Sequence, residues 1–496
     1  MSSKFREYRL RIECVTTTPL AASAGTESDV SDSALRRRAD GTLVVPGTSI
    51  AGALRSAVER MAKVDRTAGD PCAFVSGRPR QGAQQDEGCR CPVCALFGDV
   101  RPGMKDAAAS RIRVFDSVVR NAAVRIADGV AIDRGRRSAA AGRKYDFEEM
   151  YPGARVAFEL RSEPAANLTE EELGWLIAAL ELVATGHVPL GGRAAAGQGV
   201  VEGTDLQLQW RDPSDPDHLL AVLLKDGASD AAWPGDPQHV RTSSLAAHVR
   251  VAQSALREDY LKLALTVAAD SSFLVGDPVE AVRTGYDTAP LGGVIRPEMT
   301  GRALRGALRS SAERILRTME PAAACDPLGP SACARKYTAD RDQAGGTLRP
   351  ETFSWCAACA AFGNEEWASR VRVRVARDTS VTPYAMPFDH VSIDRFTGGA
   401  MDGRKFDRLA VRSAKYGARV SLNHVPDVDR PWIRALVGFV VQDLMDGWIT
   451  VGRGSAVGHG WFDVEVADGS FNVSDADVEA LWKRAGADRQ LARVGA

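Results

Sequence analysis

The 496-residue chain lacks any apolar run approaching the roughly 20 residues that a membrane-spanning helix needs, which excludes that class of span. Its first ten residues, Met1 to Leu10, are polar and charged, so no secretory signal is visible and a cytoplasmic location is expected. Phe, Trp and Tyr make up only 6% of the residues, and no interleaved aromatic platform appears. Stacking-based readout of bases is therefore not expected to be a main mode of binding. Net charge is also nearly absent, at −1, so the chain as a whole is neither a polycation nor a polyanion.

The charge that is present is unevenly placed. Between Arg101 and Lys144 there are 11 Lys and Arg residues against four Asp, whereas Arg211 to Tyr260 and the tail after Trp461 are comparatively acidic. A basic segment on an otherwise balanced chain suits a face that meets a polyanion; a solvated basic surface is the plainer reading. Nine cysteines without an export signal point to metal ligands or reduced thiols rather than disulfides.

Four landmarks occur in the first half and return in the same order in the second. Gly47-Thr48-Ser49-Ile50-Ala51-Gly52-Ala53-Leu54-Arg55-Ser56 is echoed from Gly301 to Ser310, and Cys91-Pro92-Val93-Cys94-Ala95-Leu96-Phe97-Gly98 from Cys356 to Gly363. Ile132-Asp133-Arg134 and Gly142-Arg143-Lys144-Tyr145-Asp146 return as Ile393-Asp394-Arg395 and Gly403-Arg404-Lys405-Phe406-Asp407. A glycine-rich turn, Leu190 to Gly199, returns from Val451 to Gly460. Four ordered matches establish an internal duplication. The expected division is a first module over 1–210, a linker over 211–258, a second module over 259–467 and a helical tail over 468–496.

Within each copy, period-2 and period-3.6 patterns alternate as strand, helix, strands, helix, strand. Tyr8 to Thr16 and Leu261 to Val267 read as first strands. Thr48 or Ser49 is expected to cap the helix running to about Met61, and Thr300 the helix from Gly301 to Met319. Thr169-Glu170-Glu171-Glu172 is a capping box opening a second helix to Ala184; Pro431 is a favourable first-turn residue for its counterpart. The predicted class is α+β: two tandem ferredoxin-like (RRM-like) modules, antiparallel sheets with helices on one face.

Three motifs carry chemistry. In the glycine-rich turns, Gly191 and Gly192 with Arg193, and Gly452 with Arg453, combine small residues that let backbone amides approach a phosphate with a guanidinium that pairs with it. Thr48 and Ser49 begin a helix whose positive end suits an anion, with Arg55, Arg305 and Arg309 a turn or two on. Finally, Cys72, Cys89, Cys91 and Cys94, and again Cys325, Cys333, Cys356 and Cys359, form four thiols per copy around a Cys-x-x-Cys pair. That pattern matches a closed, tetrahedral structural Zn²⁺ site, one per module; Cys14 is left over.

Taken as an ordered set, the stretch Val45-Pro46-Gly47 to Arg55, the Cys91 to Gly98 run, Ile132-Asp133-Arg134 and the glycine-rich turn resemble the RAMP superfamily. More narrowly they resemble two fused backbone subunits, of the Csm and Cmr type, from type III CRISPR effector complexes. The resemblance spans both copies. It implies a subunit that holds guide crRNA, meets complementary target RNA and sits beside other type III effector subunits, with no membrane partner. It implies a protruding hairpin around 132–150 and 393–412, and with it RNA contacts for Arg134, Lys144, Arg395 and Lys405. It further implies an endoribonuclease that cuts target RNA with an Asp in the loop after the first strand, aided by Mg²⁺ or another divalent cation. Asp32 is the best match in that loop, with Asp29 its rival; copy two offers Asp287, with Asp277 its rival.

Two other readings stay open: a crRNA-binding scaffold that does not cut, and a crRNA-processing endoribonuclease. The histidines weigh against the latter, because His187 and His459 lie at or beside the glycine turns and none lies in the first loop of copy one.

Overall fold

The computed structural model describes residues 6–22, 31–64, 91–98, 108–163, 166–224, 233, 237–240, 247–255, 259–346 and 348–486. The chain divides into two units. The first takes Met1–Gly129, Tyr145–Ala194 and Gln198–Arg257; the second takes Val130–Lys144, Ala195–Gly197 and Glu258–Ala496.

In the first unit the strand Glu7–Thr16 alternates buried and outward positions from Leu10 onward and sends Leu10, Ile12 and Cys14 into the core, while Glu7 and Arg9 are buried on the opposite face. It pairs antiparallel with Arg155–Ser162, in a register that sets Ile12 opposite Phe158 and Cys14 opposite Val156, and on its other edge with Leu206–Arg211. The short strands Ile112–Val114 and Ser117–Arg120 pair with the far side of Arg155–Ser162. Numbering these four positions in chain order, the sheet runs second, third, first, fourth, all antiparallel. That is the ferredoxin-like order. The helices Gly47–Val64 and Glu170–Ala184 share one core with a single face of the sheet, through Leu54, Val58 and Met61 from one and Trp175, Ala179 and Leu180 from the other. Burial pushes the Cys14 thiol up to about 12, so the ninth cysteine is a small core hydrophobe.

The segment that follows Leu206–Arg211 packs on this unit. Gln238–His239 adds a strand beside Leu208 and Gln207, Val249 and Ala252 of the helix Ala247–Ala255 enter the core, and Trp233 is buried under Arg211.

The second unit repeats the scheme. Asp259–Val267 is central, between Lys415–Leu422 and Phe462–Gly469, and Val371–Asp378 completes the sheet; all three pairings are antiparallel. The helices Gly301–Met319 and Arg430–Met445 cover one face around Leu304, Leu308, Trp432, Leu436 and Val440. A further helix, Asp475–Ala485, adds Leu481 and Ala485 to that core. It begins at a Ser474–Asp477 capping box.

Between the second and third core strands of each copy lies a two-stranded antiparallel ribbon, Val124–Asp133 with Ser138–Met150, and Tyr384–Ile393 with Ala400–Arg412. The repeated Ile-Asp-Arg landmark sits at its turn. Asp133 Oδ1 accepts from the Gly135 and Arg136 amides, and Asp394 Oδ1 from those of Phe396 and Thr397. Aspartate suits this position because its short carboxylate closes the turn on its own backbone.

One cap differs from expectation. Thr48 and Ser49 lie inside the first turn of Gly47–Val64, and the leading Gly47 N–H is taken by Asp116 Oδ1 at 2.8 Å. A carboxylate reaching in from the chain after Ile112–Val114 outcompetes the local hydroxyls, which no local sequence pattern reports. In the second copy Thr300 does cap, accepting from Ala303 N at 3.1 Å.

Candidate functional site

The loop after the first strand returns along the base of the hairpin, and two aspartates meet there. Asp32 N donates to Asp146 Oδ1 at 2.9 Å, and Asp146 N donates back to Asp32 Oδ2 at 2.9 Å. The pair is held by its neighbours on either side. Glu148 N donates to the Ser33 carbonyl, Leu35 N donates to Glu148 Oε2, and Leu20 and Met150 exchange backbone hydrogen bonds. Arg37 clamps Glu148 in bidentate fashion at 2.6 and 3.2 Å, which holds that carboxyl below its ordinary value.

The second copy builds the same object. Asp287 N donates to Asp407 Oδ1 at 2.8 Å and Asp407 N to Asp287 Oδ2 at 2.9 Å. Leu409 N then donates to the Thr288 carbonyl, and Val411 and Phe273 exchange backbone bonds. In both copies the loop aspartate is exposed and its hairpin partner half-buried. Asp32 Oδ1 and Asp287 Oδ1 have no hydrogen-bond partner among the described residues. The rivals differ: Asp277 is spent as the N-cap of the short helix Pro278–Thr284, and Asp29 lies outside the described residues. Asp146 and Asp407 were visible as the last residues of a repeated landmark, but nothing local tied them to a loop more than a hundred residues away.

The cysteines of the second copy converge. The Sγ atoms of Cys325, Cys333, Cys356 and Cys359 all lie within 4.8 Å of one another, with Cys325 and Cys359 3.6 Å apart. Four thiolates at about 2.3 Å from one zinc ion sit roughly 3.8 Å apart, so the donor set fits tetrahedral Zn²⁺. Hydrogen bonds among the four thiols pull Cys356 and Cys333 below their ordinary values and push Cys325 and Cys359 above theirs. The backbone N–H groups of Cys325 and Cys359 also point at Cys356 Sγ. Tyr337, Phe353, Trp355 and Trp367 wall the cluster. The irregular spacing of Cys325 and Cys333 is absorbed by the start of the helix Cys333–Gln343, which turns Cys333 inward.

In the first copy, Cys91 and Cys94 are buried at the start of the helix Pro92–Phe97, the same placement as Cys356 and Cys359 on Ala357–Phe362. Cys72 and Cys89 lie outside the described residues.

Residues 13–202 and 291–463 each match the model of the RAMP superfamily. The chain belongs to the RAMP superfamily. No curated protein matches the sequence significantly.

The two RAMP regions take in the Asp32–Asp146 pair, Asp407 of the second pair and both Cys-x-x-Cys helices, and Asp287 lies just before the second region begins. They also take in the glycine-rich turns, where glycine is demanded by close packing. Gly191 (φ 72°) and Gly452 (φ 96°) press on the backbone after the first strand, and a Cβ at either would lie 2.4 Å from the carbonyl oxygen of Ala21 or Leu274. The Gly192 and Arg453 amides donate to those same two carbonyls, and Gly199 and Gly460 to Pro19 and Ser272. These four N–H groups are used inside the RAMP module. Arg193 lies over the Phe147 ring at 3.4 Å, and Arg453 is exposed.

The remaining basic residues divide by setting. Arg305 donates to the Phe362 carbonyl and to Ser369, and Arg309 to Glu313 and the Gly363 carbonyl; both tie the first helix to the Cys-x-x-Cys helix. Within the second unit Arg134 Nε donates to the buried Glu313 at 2.9 Å. Arg55 is half-buried on its helix. Lys144, Arg395 and Lys405 are exposed on the ribbons, Lys405 beside Asp389 at 3.4 Å.

The copies diverge beneath the glycine turn. In the first, Gln198 donates to Glu149, which also holds Arg125 at 2.7 Å. In the second the equivalent residue is His459, buried with its Nδ1 against the Ser272 hydroxyl and its ring edge-on to Phe388.

Proposed function

We propose that the chain is a two-module backbone subunit of a type III CRISPR complex that holds guide crRNA and cuts complementary target RNA, once per module, at Asp32 and Asp287. The observation that carries this reading is the duplicated loop aspartate, exposed, with one oxygen anchored on the hairpin backbone and the other open. RNA brings its own nucleophile. In-line attack of a 2′-hydroxyl oxygen on the adjacent phosphorus forms a cyclic phosphate and expels the 5′-oxygen, which takes a proton from water. In one role the open carboxylate oxygen would accept the 2′-hydroxyl proton. In the alternative role, Asp32 Oδ1 and Asp287 Oδ1 would hold a divalent cation, Mg²⁺ or another, which would supply charge neutralisation at the phosphate, and the 2′-hydroxyl proton would then pass to water.

The exposed Lys144, Arg395, Lys405 and Arg453 suit contacts with the RNA backbone rather than with base edges. Thr48, Ser49, Gly191, Gly192 and Gly452 fit such contacts less well, since neighbouring amides are engaged within the protein. Structural zinc belongs to the same reading, held by Cys325, Cys333, Cys356 and Cys359, and in the first module by Cys91 and Cys94 with Cys72 and Cys89.

The test is cleavage of a matched RNA by the assembled complex. Asp32→Ala and Asp287→Ala are each expected to erase one product and spare the other. Cutting unchanged at both positions would leave a scaffold and end the catalytic assignment.

A further inference from the structure

We infer that Asp146 and Asp407 are positioning residues that set the loop aspartates Asp32 and Asp287 in their working orientation. The inference rests on the cleavage reading above and adds a second residue to each site.

The geometry has three parts. First, the loop runs beside the second hairpin strand. It is joined there by backbone hydrogen bonds, Glu148 N to Ser33 O in one copy and Leu409 N to Thr288 O in the other. One step before those bonds the ladder changes character. The acceptors for the Asp32 and Asp146 amides are each other's carboxylates, not carbonyls, and the same holds for Asp287 and Asp407.

Second, each exchange uses one oxygen per side chain. Asp32 Oδ2 and Asp287 Oδ2 are pinned to a strand amide, which orients Oδ1 outward; Asp146 Oδ1 and Asp407 Oδ1 pin the loop backbone in return. A carboxylate–amide hydrogen bond is about twice as strong as a neutral one, so the loop aspartate is held at both its backbone and its side chain. Removing the hairpin aspartate frees the backbone half of that restraint while leaving the loop carboxylate in place.

Third, the surroundings of the pair have diverged while the pair has not. Glu148 and its Arg37 clamp in the first copy are replaced by Leu409 in the second, and Tyr145 by Phe406. The reciprocal exchange survives with distances within 0.1 Å. A merely structural latch is already supplied by the flanking backbone bonds, which the hairpin carboxylates do not make.

The hairpin residue needs only an acceptor oxygen, and asparagine provides one at the same reach. Matched-target cleavage by the assembled complex is therefore measured under single turnover with Asp146→Ala, Asp146→Asn and Asp32→Ala. Asp146→Ala is expected to slow the cut assigned to Asp32 by about 100-fold, the scale of an ångström-sized misplacement, with target affinity unchanged. Asp146→Asn is expected to restore the rate to within a few-fold. The Asp287 product serves as the internal control for assembly and folding, and Asp407→Ala and Asp407→Asn repeat the experiment with the two products exchanged. If Asp32→Ala abolishes its cut while Asp146→Ala cuts normally, or if Asp146→Asn is as slow as Asp146→Ala, the positioning role is overturned and the cleavage reading stands. If Asp32→Ala itself cuts normally, the cleavage reading is the one that falls.

Discussion

Arg309 places its Nη2 3.9 Å from Cys359 Sγ while its Nε donates to Glu313 at 2.8 Å. One side chain thus ties the four-cysteine cluster to a carboxylate buried on the long first helix of the second module. With Arg305 on the Phe362 carbonyl, the helix that frames the sheet and the helix that presents the thiols form one packed body.

Metal removal should therefore unfold more than a loop. The purified chain is expected to carry zinc at about two equivalents, one per four-cysteine set. A strong chelator, or Cys359→Ser, should lower the melting temperature of the second module, since structural zinc contributes directly to folding free energy. Metal analysis with calorimetry on the same sample checks this; a zinc-free chain with an unchanged melt would refute it.

Gly452 and Gly458 share the left-handed backbone region, with φ of 96° and 85°, but not the same surroundings. A Cβ at Gly452 meets the Leu274 carbonyl at 2.4 Å, whereas one at Gly458 meets nothing within 4 Å. Gly458→Ala should cost about 1 kcal/mol, the conformational penalty alone. Gly452→Ala should cost about 1–3 kcal/mol more, because turn and first strand must part. Denaturant midpoints of the two variants decide it, and equal costs would contradict the packing argument.

His459 is expected to make the second module sensitive to acid. Burial, and then the charges of Arg408, His390 and Arg412, hold its imidazole below the ordinary pKa of about 6.5. The folded chain consequently binds fewer protons at this site than the unfolded chain does between the lowered value and about 6.5. Stability contributed by neutral His459 is present in full above about 6.5 and is lost as pH falls through that window. Thermal melts from about pH 8 down to about pH 5 should show the decline, and His459→Gln, the residue type the first module carries as Gln198, should flatten it. A decline of the same size in the variant would assign it elsewhere.

Much of this was legible from residue order. The duplication, the helix Gly301–Met319 with its Thr300 cap, the Thr169 capping box and the glycine turns are local patterns. Periodicity and short-range hydrogen bonding report such patterns directly. The strand order followed from the order of elements, because few topologies close a sheet with two helices on one face.

Other features depend on groups that no local pattern connects. The first helix is capped by Asp116, 69 residues beyond Gly47, where hydroxyls next door were expected to serve. Arg305 and Arg309 carry the same charge as any exposed arginine, yet the helix face they occupy turns them onto the cysteine helix. Asp32 meets Asp146 across 114 residues and Asp287 meets Asp407 across 120. Sequence alone therefore determined the repeat, its elements and the residue types available for chemistry. Which carboxylates, thiols and guanidiniums meet was determined by sheet register and helix packing, since proximity between distant residues arises only when the core closes.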